Sequence, residues 1–126
     1  MAEHLESGHL AEHAAKRYLE DQGLRWLTSN YRCRYGELDL IMSDEEHLVI
    51  IEIRYRRHSK FMQPMESITR VKCTRIAKAT LHFMQHNAEY RNFPVRFDVL
   101  SISGPLQRPV MDWITGAFTA EDLRVG

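Results

Sequence analysis

The chain has 126 residues, of which 44% are apolar, 10% aromatic and 27% charged, which excludes collagen-like, low-complexity and disordered proteins. No apolar run approaches the roughly 20 residues of a membrane helix, and the N-terminal residues lack the pattern of a signal peptide. Two cysteines, Cys33 and Cys73, are too few for a disulfide framework. We expect one cytoplasmic domain over residues 1–126, with two reduced thiols and no membrane partner.

The net charge of zero conceals a strongly basic segment. Residues 54–78 carry eight bases and one acid, a net charge of +7. Residues 1–53 carry eleven acids and five bases, a net charge of −6, and residues 79–126 have a net charge of −1. A basic stretch of this density indicates either a polyanion partner or a helix face whose charge serves solubility.

The elements are predicted in the order α-β-β-β-α-β-β-α. The first helix has its N-cap at Ser7, carries apolar residues at three- and four-residue spacing, and stops at Gly23. Strands are predicted at residues 24–31, 36–42, 47–55, 95–102 and 110–114. A loop is predicted at residues 60–65 and a short helix from Thr119. The second long helix ends near Asn87, and its predicted apolar positions are Val71, Ile76, Ala79, Leu81 and Phe83. This order predicts a single α/β domain, with a mixed β-sheet flanked by α-helices.

The second and third strands are joined by the polar residues 43–46, which predicts a hairpin with a four-residue loop. The second strand alternates in polarity. One of its faces is expected to carry Leu38, Leu40 and Met42, and the other Glu37, Asp39 and Ile41. On the third strand, Glu52 and Arg54 interrupt a strongly apolar run, and they share one face because they are two residues apart.

Carboxylates therefore meet across this hairpin. If pairing starts at the residues next to the loop, Glu37 lies opposite Glu52, and Asp39 lies diagonal to Glu52 at about 7–8 Å. A slip of the register by two residues keeps all three on the same face. Such carboxylates repel each other unless a cation lies between them, and Mg²⁺ typically takes one or two carboxylates plus waters. The alternative is an ordinary half-exposed strand face, in which Arg54 forms a salt bridge with Glu52.

The segment Glu37-Leu-Asp39-Leu-Ile41, followed after ten residues by Glu52-Ile-Arg54-Tyr-Arg56, resembles the D…(D/E)-x-K core of the PD-(D/E)xK nuclease superfamily. More narrowly, the chain resembles the YraN-type family of predicted endonucleases, relatives of the archaeal Holliday junction resolvases. The supporting positions are Glu12, Tyr18-Leu19, Gly23, Asn30-Tyr31-Arg32, Arg34-Tyr35-Gly36-Glu37, Lys72 with Ala79, and Arg96-Phe97-Asp98-Val99. The resemblance implies a restriction-endonuclease-like fold with its core at about residues 8–102 and a C-terminal extension at 103–126.

The resemblance also implies roles for the matching residues. Asp39 and Glu52 would hold Mg²⁺ or Mn²⁺ together with the backbone carbonyl of Ile53, and Glu12 would supply an additional acidic group. The implied reaction is hydrolysis of a phosphodiester bond by a water that the ion activates. Glu37 would contact the metal ligands rather than the metal.

The chain departs from the family pattern at Arg54, which stands where the motif has lysine. Arginine keeps the positive charge and binds phosphate through two N–H groups, but it does not exchange a proton near neutral pH. Two functions therefore stay open. One is a Mg²⁺-dependent DNA endonuclease, with branched DNA as a candidate substrate and Arg54 in the catalytic set. The other is a nucleic-acid-binding module of the same fold whose catalysis is impaired by Arg54.

The basic segment continues directly from the motif. Contacts to a nucleic-acid backbone are expected from Arg56, Arg57, Lys60, Arg70, Lys72 and Arg75. The alternative for Lys72 is an ordinary lysine on a helix surface. DNA is the expected partner, and the dimers formed by junction-cutting relatives extend the expectation to a homodimer. A third interpretation, a scaffold that recruits other proteins, predicts no salt-dependent affinity for nucleic acid.

Two histidine pairs suggest competing metal sites. His9-x-x-Glu12-His13 matches the inverted zincin signature, and its two histidines would share a helix face. No distal third ligand stands out in the sequence, so solvent-facing histidines are the favoured interpretation. His82 and His86 are also four residues apart, and a surface pair is again favoured.

Overall fold

A computed structural model describes residues 2–56, 69–105 and 107–118, including the side chains of residues 10–55, 69–105 and 107–118. Its elements are α1 (Ala2–Asp21), β1 (Arg25–Cys33), β2 (Gly36–Ser43), β3 (Leu48–Arg56), α2 (Arg70–His86), a 3₁₀ turn (Ala88–Tyr90), β4 (Val95–Ser103) and β5 (Val110–Phe118). The predicted loop at residues 60–65 and the predicted helix from Thr119 lie outside the described residues. Arg57, Lys60 and the side chain of Arg56 lie outside them as well.

The five strands form one mixed sheet in the order β1-β2-β3-β4-β5. β3 and β4 are parallel, and the other neighbours are antiparallel. A parallel pair needs a crossover connection, and α2 lies within it. The predicted α/β class is therefore confirmed, and the architecture is consistent with a restriction-endonuclease-like fold. Within the described residues, neither helix combines the length and apolar character that a membrane crossing requires.

Each face of the sheet is covered by one helix. α1 packs against one face in a cluster that includes Ala11, Ala15, Leu19, Leu40, Met42, Val49, Ile51, Leu100 and Ile102. α2 packs against the other face in a cluster that includes Ile76, Ala79, Phe83, Leu38, Ile41, Ile50 and Phe97. Burial of one such large side chain contributes roughly 1.5–3 kcal/mol. The strands between the helices are therefore apolar on both faces, and a charged residue on them stands out.

Helix α1 starts earlier than its sequence predicts and ends as expected. It begins at Ala2, so the prediction of an N-cap at Ser7 was wrong. Ala, Glu and Leu before Ser7 favour the helix, and they outweigh the capping preference of one serine. At the other end, Gly23 has a φ of 102°. The Gly23 N–H donates to the backbone carbonyl of Glu20, and the Leu24 N–H donates to the backbone carbonyl of Leu19. These two bonds form a Schellman motif, which glycine favours because it readily adopts a positive φ.

Helix α2 has the predicted span but a different buried face. Val71 and Leu81, predicted as apolar contacts, are 62% and 58% exposed. The buried positions are Cys73, Ile76, Ala79, Thr80, Phe83 and Met84. Thr80 is accommodated because its hydroxyl donates to the Ile76 carbonyl. The prediction failed where it relied on hydrophobicity alone, since the helical period leaves Val71 and Leu81 on the outer face.

Strand β2 does not alternate as predicted. Leu38 packs with Ile41 on the α2 side, whereas Leu40 and Met42 pack on the α1 side. The predicted single face for Leu38, Leu40 and Met42 was therefore wrong. The alternation of faces is interrupted at Asp39. The β1–β2 pairs pass from Ser29–Leu40 to Tyr31–Leu38, and between them Asn30 has a φ of 54°. Asp39 thus lies at a local irregularity of two paired strands.

A buried charged cluster lies where β4 meets the edge strand β5. The Asp98 side chain is fully buried, and the Arg96 guanidinium binds it through Nε and Nη2, each at 3.0 Å from a carboxylate oxygen. Trp113 Nε1 and the Gly116 N–H also donate to Asp98, both at 2.9 Å. Gly116 has a φ of 60°, and the β4–β5 register shifts at this level. Asp98 therefore satisfies the backbone of a distorted edge strand.

Candidate active site

A cleft of about 500 Å³ lies at the ends of β2 and β3, beside the first turns of α2. We call it the carboxylate cleft. Its described lining residues are Gly36, Glu37, Asp39, Glu52, Thr69, Val71, Lys72, Arg75 and Ile76. Three carboxylates and two basic residues that the sequence singled out therefore meet in one place.

The carboxylates meet in a different register from the expected one. Leu40 pairs with Ile51 and Ser43 with Leu48, so the strands are shifted by two residues and Glu37 does not lie opposite Glu52. The shift has a cause in the loop, where Asp44 Oδ1 accepts the backbone N–H of Glu46 and of His47. This side-chain turn makes the loop residues 44–47 instead of 43–46.

Asp39 and Glu52 are the next residues beyond the last pair of the β2–β3 ladder. The described ladder ends at Leu40 and Ile51. One step further, Asp39 Oδ2 accepts the Ile53 N–H at 2.9 Å. A carboxylate thus takes the place of a backbone acceptor where the strands separate. The two carboxylates are fixed by the backbone of a sheet rather than by a mobile loop.

Lys72 contacts one of these carboxylates directly. Its Nζ lies 2.7 Å from Oε1 of Glu52, whose side chain is only 11% exposed. The helix start that carries Lys72 is fixed by Thr69, whose Oγ1 accepts the Lys72 N–H at 3.1 Å. Arg54, on the same face of β3, is not among the described residues that line the cleft. Helix α2 therefore supplies a positive charge beside Glu52.

The environment of Asp39 is unfavourable for a negative charge. Burial, followed by the charge of Glu52, raises the pKa of Asp39 from 3.8 to about 7. The Ile53 N–H and the Lys72 ammonium act in the opposite direction but do not compensate. An additional cation bound between Asp39 and Glu52 would relieve the remaining repulsion between their carboxylates.

This environment makes the stability of the metal-free protein depend on pH. The folded protein holds the Asp39 proton to about pH 7, whereas the unfolded chain releases it near pH 3.8. Stability from this group is therefore present at low pH and is lost as pH rises through about 7. Relative to the wild type in EDTA, we expect the free energy of unfolding of Asp39→Asn to rise by up to about 2.5 kcal/mol between pH 5 and pH 8, because the part of the loss between pH 3.8 and pH 5 falls below this range.

Urea denaturation at both pH values measures this gain. Asp112→Asn is the control, because Asp112 is exposed on β5 and its replacement should change the free energy of unfolding equally at the two pH values. A constant difference between Asp39→Asn and the wild type across the range would contradict the raised pKa.

The oxygen donors of the carboxylate cleft suit a hard divalent cation. In the part of the chain that the structure describes, no group of three or more His, Cys, Asp or Glu side chains is placed to hold a metal. Two carboxylates, Asp39 and Glu52, fit Mg²⁺, which usually keeps several waters and takes one or two carboxylates. The backbone carbonyl of Ile53, the residue after Glu52 on β3, would be a further oxygen donor. None of the described lining residues supplies the sulfur or imidazole ligands typical of structural zinc.

Glu12 lies apart from the cleft lining. Its Oε2 accepts a hydrogen bond from Asn30 Nδ2 at 3.0 Å. Asn30 sits on β1 between the residues that pair with Leu38 and Leu40, which is the level of Asp39. Glu12 is thus connected through Asn30 to the level of β2 that carries Asp39. The sequence carries one signal for the irregular backbone at Asn30, since asparagine is the non-glycine residue that most readily adopts a positive φ.

The other predicted basic residues are distributed around the site. Arg75 lines the carboxylate cleft, and Arg70 is exposed at the start of α2. Arg54 is half-buried and pairs in register with Ser101 of β4. His82 and His86 stack at 4.3 Å on the surface of α2, and His82 contacts the Tyr31 hydroxyl. Neither Cys33 nor Cys73 forms a disulfide.

The fold and the cleft define an α/β domain of restriction-endonuclease-like architecture, with a carboxylate pair at the end of a hairpin. Residues 11–102 match the model of a family described as uncharacterised protein family UPF0102. The chain belongs to this family, and the family expected from its sequence, the YraN-type family, is confirmed.

Proteins named UPF0102 protein resemble the chain over nearly its whole length. One from Nitrosococcus oceani is 42% identical over 120 residues, which cover 95% of this chain and 97% of the relative. One from Coxiella burnetii (strain RSA 493) is 42% identical over 114 residues, or 90% of this chain and 92% of the relative. One from Saccharophagus degradans is 40% identical over 122 residues, or 97% of this chain and the full length of the relative.

Proposed function

We propose that this protein is a metal-dependent nuclease of the PD-(D/E)xK type that hydrolyses phosphodiester bonds in DNA, with branched DNA as a candidate substrate. The observation that carries the proposal is the convergence of Asp39, Glu52 and Lys72 in one cleft. Two carboxylates and an ammonium are the groups that this class of hydrolysis needs: oxygen ligands for a divalent cation and a positive charge at the reacting phosphate.

Each group has a defined task in this proposal. Asp39, Glu52 and the Ile53 carbonyl would hold Mg²⁺ or Mn²⁺. The ion, when bound, supplies Lewis-acid chemistry that acidifies water and neutralises phosphoryl charge. The Ile53 N–H orients the Asp39 carboxylate through their 2.9 Å hydrogen bond. Arg75, which lines the same cleft, is placed to contact the phosphate group.

Lys72 supplies the ammonium that the motif position lacks. A lysine at position 54 would share the α2 face of β3 with Glu52, and Arg54 stands there instead. The 2.7 Å contact between Lys72 and Glu52 brings an ammonium to the same carboxylate from a different element. The departure at Arg54 therefore does not remove the chemistry from the cleft.

The second candidate is a nucleic-acid-binding module without turnover. It is favoured by Arg54, because the motif strand itself carries no lysine. In this case the exposed cations of α2 would contact the nucleic-acid backbone, and the carboxylate cleft would be a remnant. Glu12 and Glu37 would then have structural contacts only, such as those with Asn30 and Arg32.

Cleavage of labelled linear, flapped and four-way-junction DNA in Mg²⁺, Mn²⁺ or EDTA tests the proposal. We expect products that require the metal and that disappear in Asp39→Ala, with a loss of about a thousandfold or more, because a ligand of the metal is removed. Asp112→Ala, which removes an exposed carboxylate of β5, should cleave like the wild type. Salt-dependent binding without products in either metal would reject the nuclease and support the binding module.

A further inference from the structure

A second cleft lies beside the carboxylate cleft, between the β1–β2 turn and α2. We call it the basic cleft. It measures about 470 Å³, and its described lining residues are Arg34, Tyr35, Arg70, Val71, Thr74, Arg75 and Lys78. These include four cations and no carboxylate. Val71 and Arg75 line both clefts, so the two are continuous along the surface of α2.

The cations of the basic cleft lack acidic partners among the described residues. The other cation at this end of α2, Lys72, has a carboxylate partner in Glu52. Within the described part of the chain, no salt bridge involves any of the four: Arg34, Arg70, Arg75 and Lys78. Like charges on neighbouring turns of a helix repel each other, and an anion bound between them would remove this repulsion.

Arg34 is held in position for such an anion. Its Nη2 donates to the Tyr35 hydroxyl at 2.7 Å, and its guanidinium lies 4.8 Å from the centroid of the Tyr35 ring. The turn itself packs closely on the helix, since a Cβ placed on Gly36 would lie 3.8 Å from Cβ of Arg75. A guanidinium that is already ordered loses less side-chain entropy when it binds a phosphate.

We propose that the basic cleft binds the phosphodiester backbone of a nucleic-acid strand next to the segment that enters the carboxylate cleft. Arg34 and Lys78, which the motif does not include, would contact phosphates beyond those near Arg75. The contacts would be independent of sequence, because they address charge and not base edges. The inference rests on the proposed function for the identity of the phosphates as those of nucleic acid.

Aromatic rings favour a nucleic acid over an acidic peptide as the occupant. Tyr35 lines the basic cleft, and its ring centroid lies 6.3 Å from that of His82. Cations interleaved with aromatic rings are typical of surfaces that bind single strands, where bases stack on the rings. An acidic peptide would use the charge but would have no use for the rings.

Anisotropy of a fluorescent single-stranded oligonucleotide in EDTA, at several salt concentrations, tests this inference without turnover. We expect the double variant Arg34→Gln with Lys78→Gln to lower affinity about tenfold at low salt. It should also reduce the slope of log affinity against log salt by about 1.5, as two lost phosphate contacts require. The control, Arg91→Gln with Arg108→Gln, removes the same charge from exposed positions outside both clefts and should leave the slope unchanged.

A charge-preserving variant separates binding from folding. Arg34→Lys with Lys78→Arg should keep the salt slope of the wild type, whereas a damaged fold would lower binding in this variant too. Equal losses in the Arg34–Lys78 and Arg91–Arg108 glutamine variants would overturn the inference, and so would polyglutamate that displaces the oligonucleotide as effectively as unlabelled DNA. A protein that binds as expected but never cleaves rejects the nuclease and leaves the basic cleft intact.

Discussion

Asp98→Ala is expected to lower the free energy of unfolding by about 3–5 kcal/mol, the loss typical of a buried ion pair from which one partner is removed. Asp98 accepts from Arg96, from the Trp113 indole and from the Gly116 backbone. Without it, the Arg96 guanidinium loses its principal counter-ion and two further donors lose their acceptor. The nearest remaining carboxylate partner of Arg96 is Asp44, at 3.4 Å.

Urea denaturation of the wild type, Asp98→Ala and Asp112→Ala measures this loss. Asp112 lies on β5 close to the same cluster in sequence but is exposed, so its replacement should change the free energy of unfolding by less than about 0.5 kcal/mol. Asp98→Asn should fall between the two, because the amide keeps one acceptor but not the charge. A loss below about 1 kcal/mol in Asp98→Ala would show that the cluster is not a structural centre.

Lys72→Met is expected to reduce metal-dependent cleavage by about a hundredfold or more, the usual loss when one electrostatic or acid–base group is removed from an active site. The reason is the 2.7 Å contact of Lys72 with Glu52, which makes this ammonium part of the carboxylate cleft. Single-turnover rates at saturating enzyme measure the effect on the chemical step. Anisotropy in EDTA measures DNA binding separately, and binding should change by less than about tenfold, as expected for one cation among several.

Two further variants test whether the loss is specific to the ammonium of Lys72. Lys16→Met removes an ammonium from α1, where it lies 4.0 Å from the Trp26 ring centroid, and should cleave like the wild type. Arg54→Met should reduce cleavage less than Lys72→Met does. If Arg54→Met is the more damaging of the two, the ammonium of Lys72 has not replaced the lysine of the motif.

The sequence predicted the elements that have strong local signals. The hairpin strands and α2 were found at nearly their observed bounds because period-two and period-3.6 patterns respond directly to burial. The same patterns placed Asp39 and Glu52 as charges on an otherwise apolar surface. Both lie in the carboxylate cleft, and their role as metal ligands stays a prediction.

The sequence did not predict features that depend on contacts between distant residues. The register of the hairpin was set by the Asp44 side chain, which accepts two backbone N–H groups in the loop. The break in β2 coincides with the positive φ of Asn30 on the neighbouring strand. The Lys72–Glu52 contact joins residues 20 positions apart through the packing of α2. No local pattern carries this information.

The irregularities of the two outer strands also bear on how molecules of this protein meet one another. β1 and β5 are the edges of the sheet, and an uninterrupted edge is a template for pairing with a strand of another molecule. β1 is interrupted at Trp26–Thr28 and at Asn30, and β5 at the level of Gly116. The positive φ of Asn30, whose side chain binds Glu12, and that of Gly116, whose N–H binds Asp98, therefore also discourage edge-to-edge aggregation.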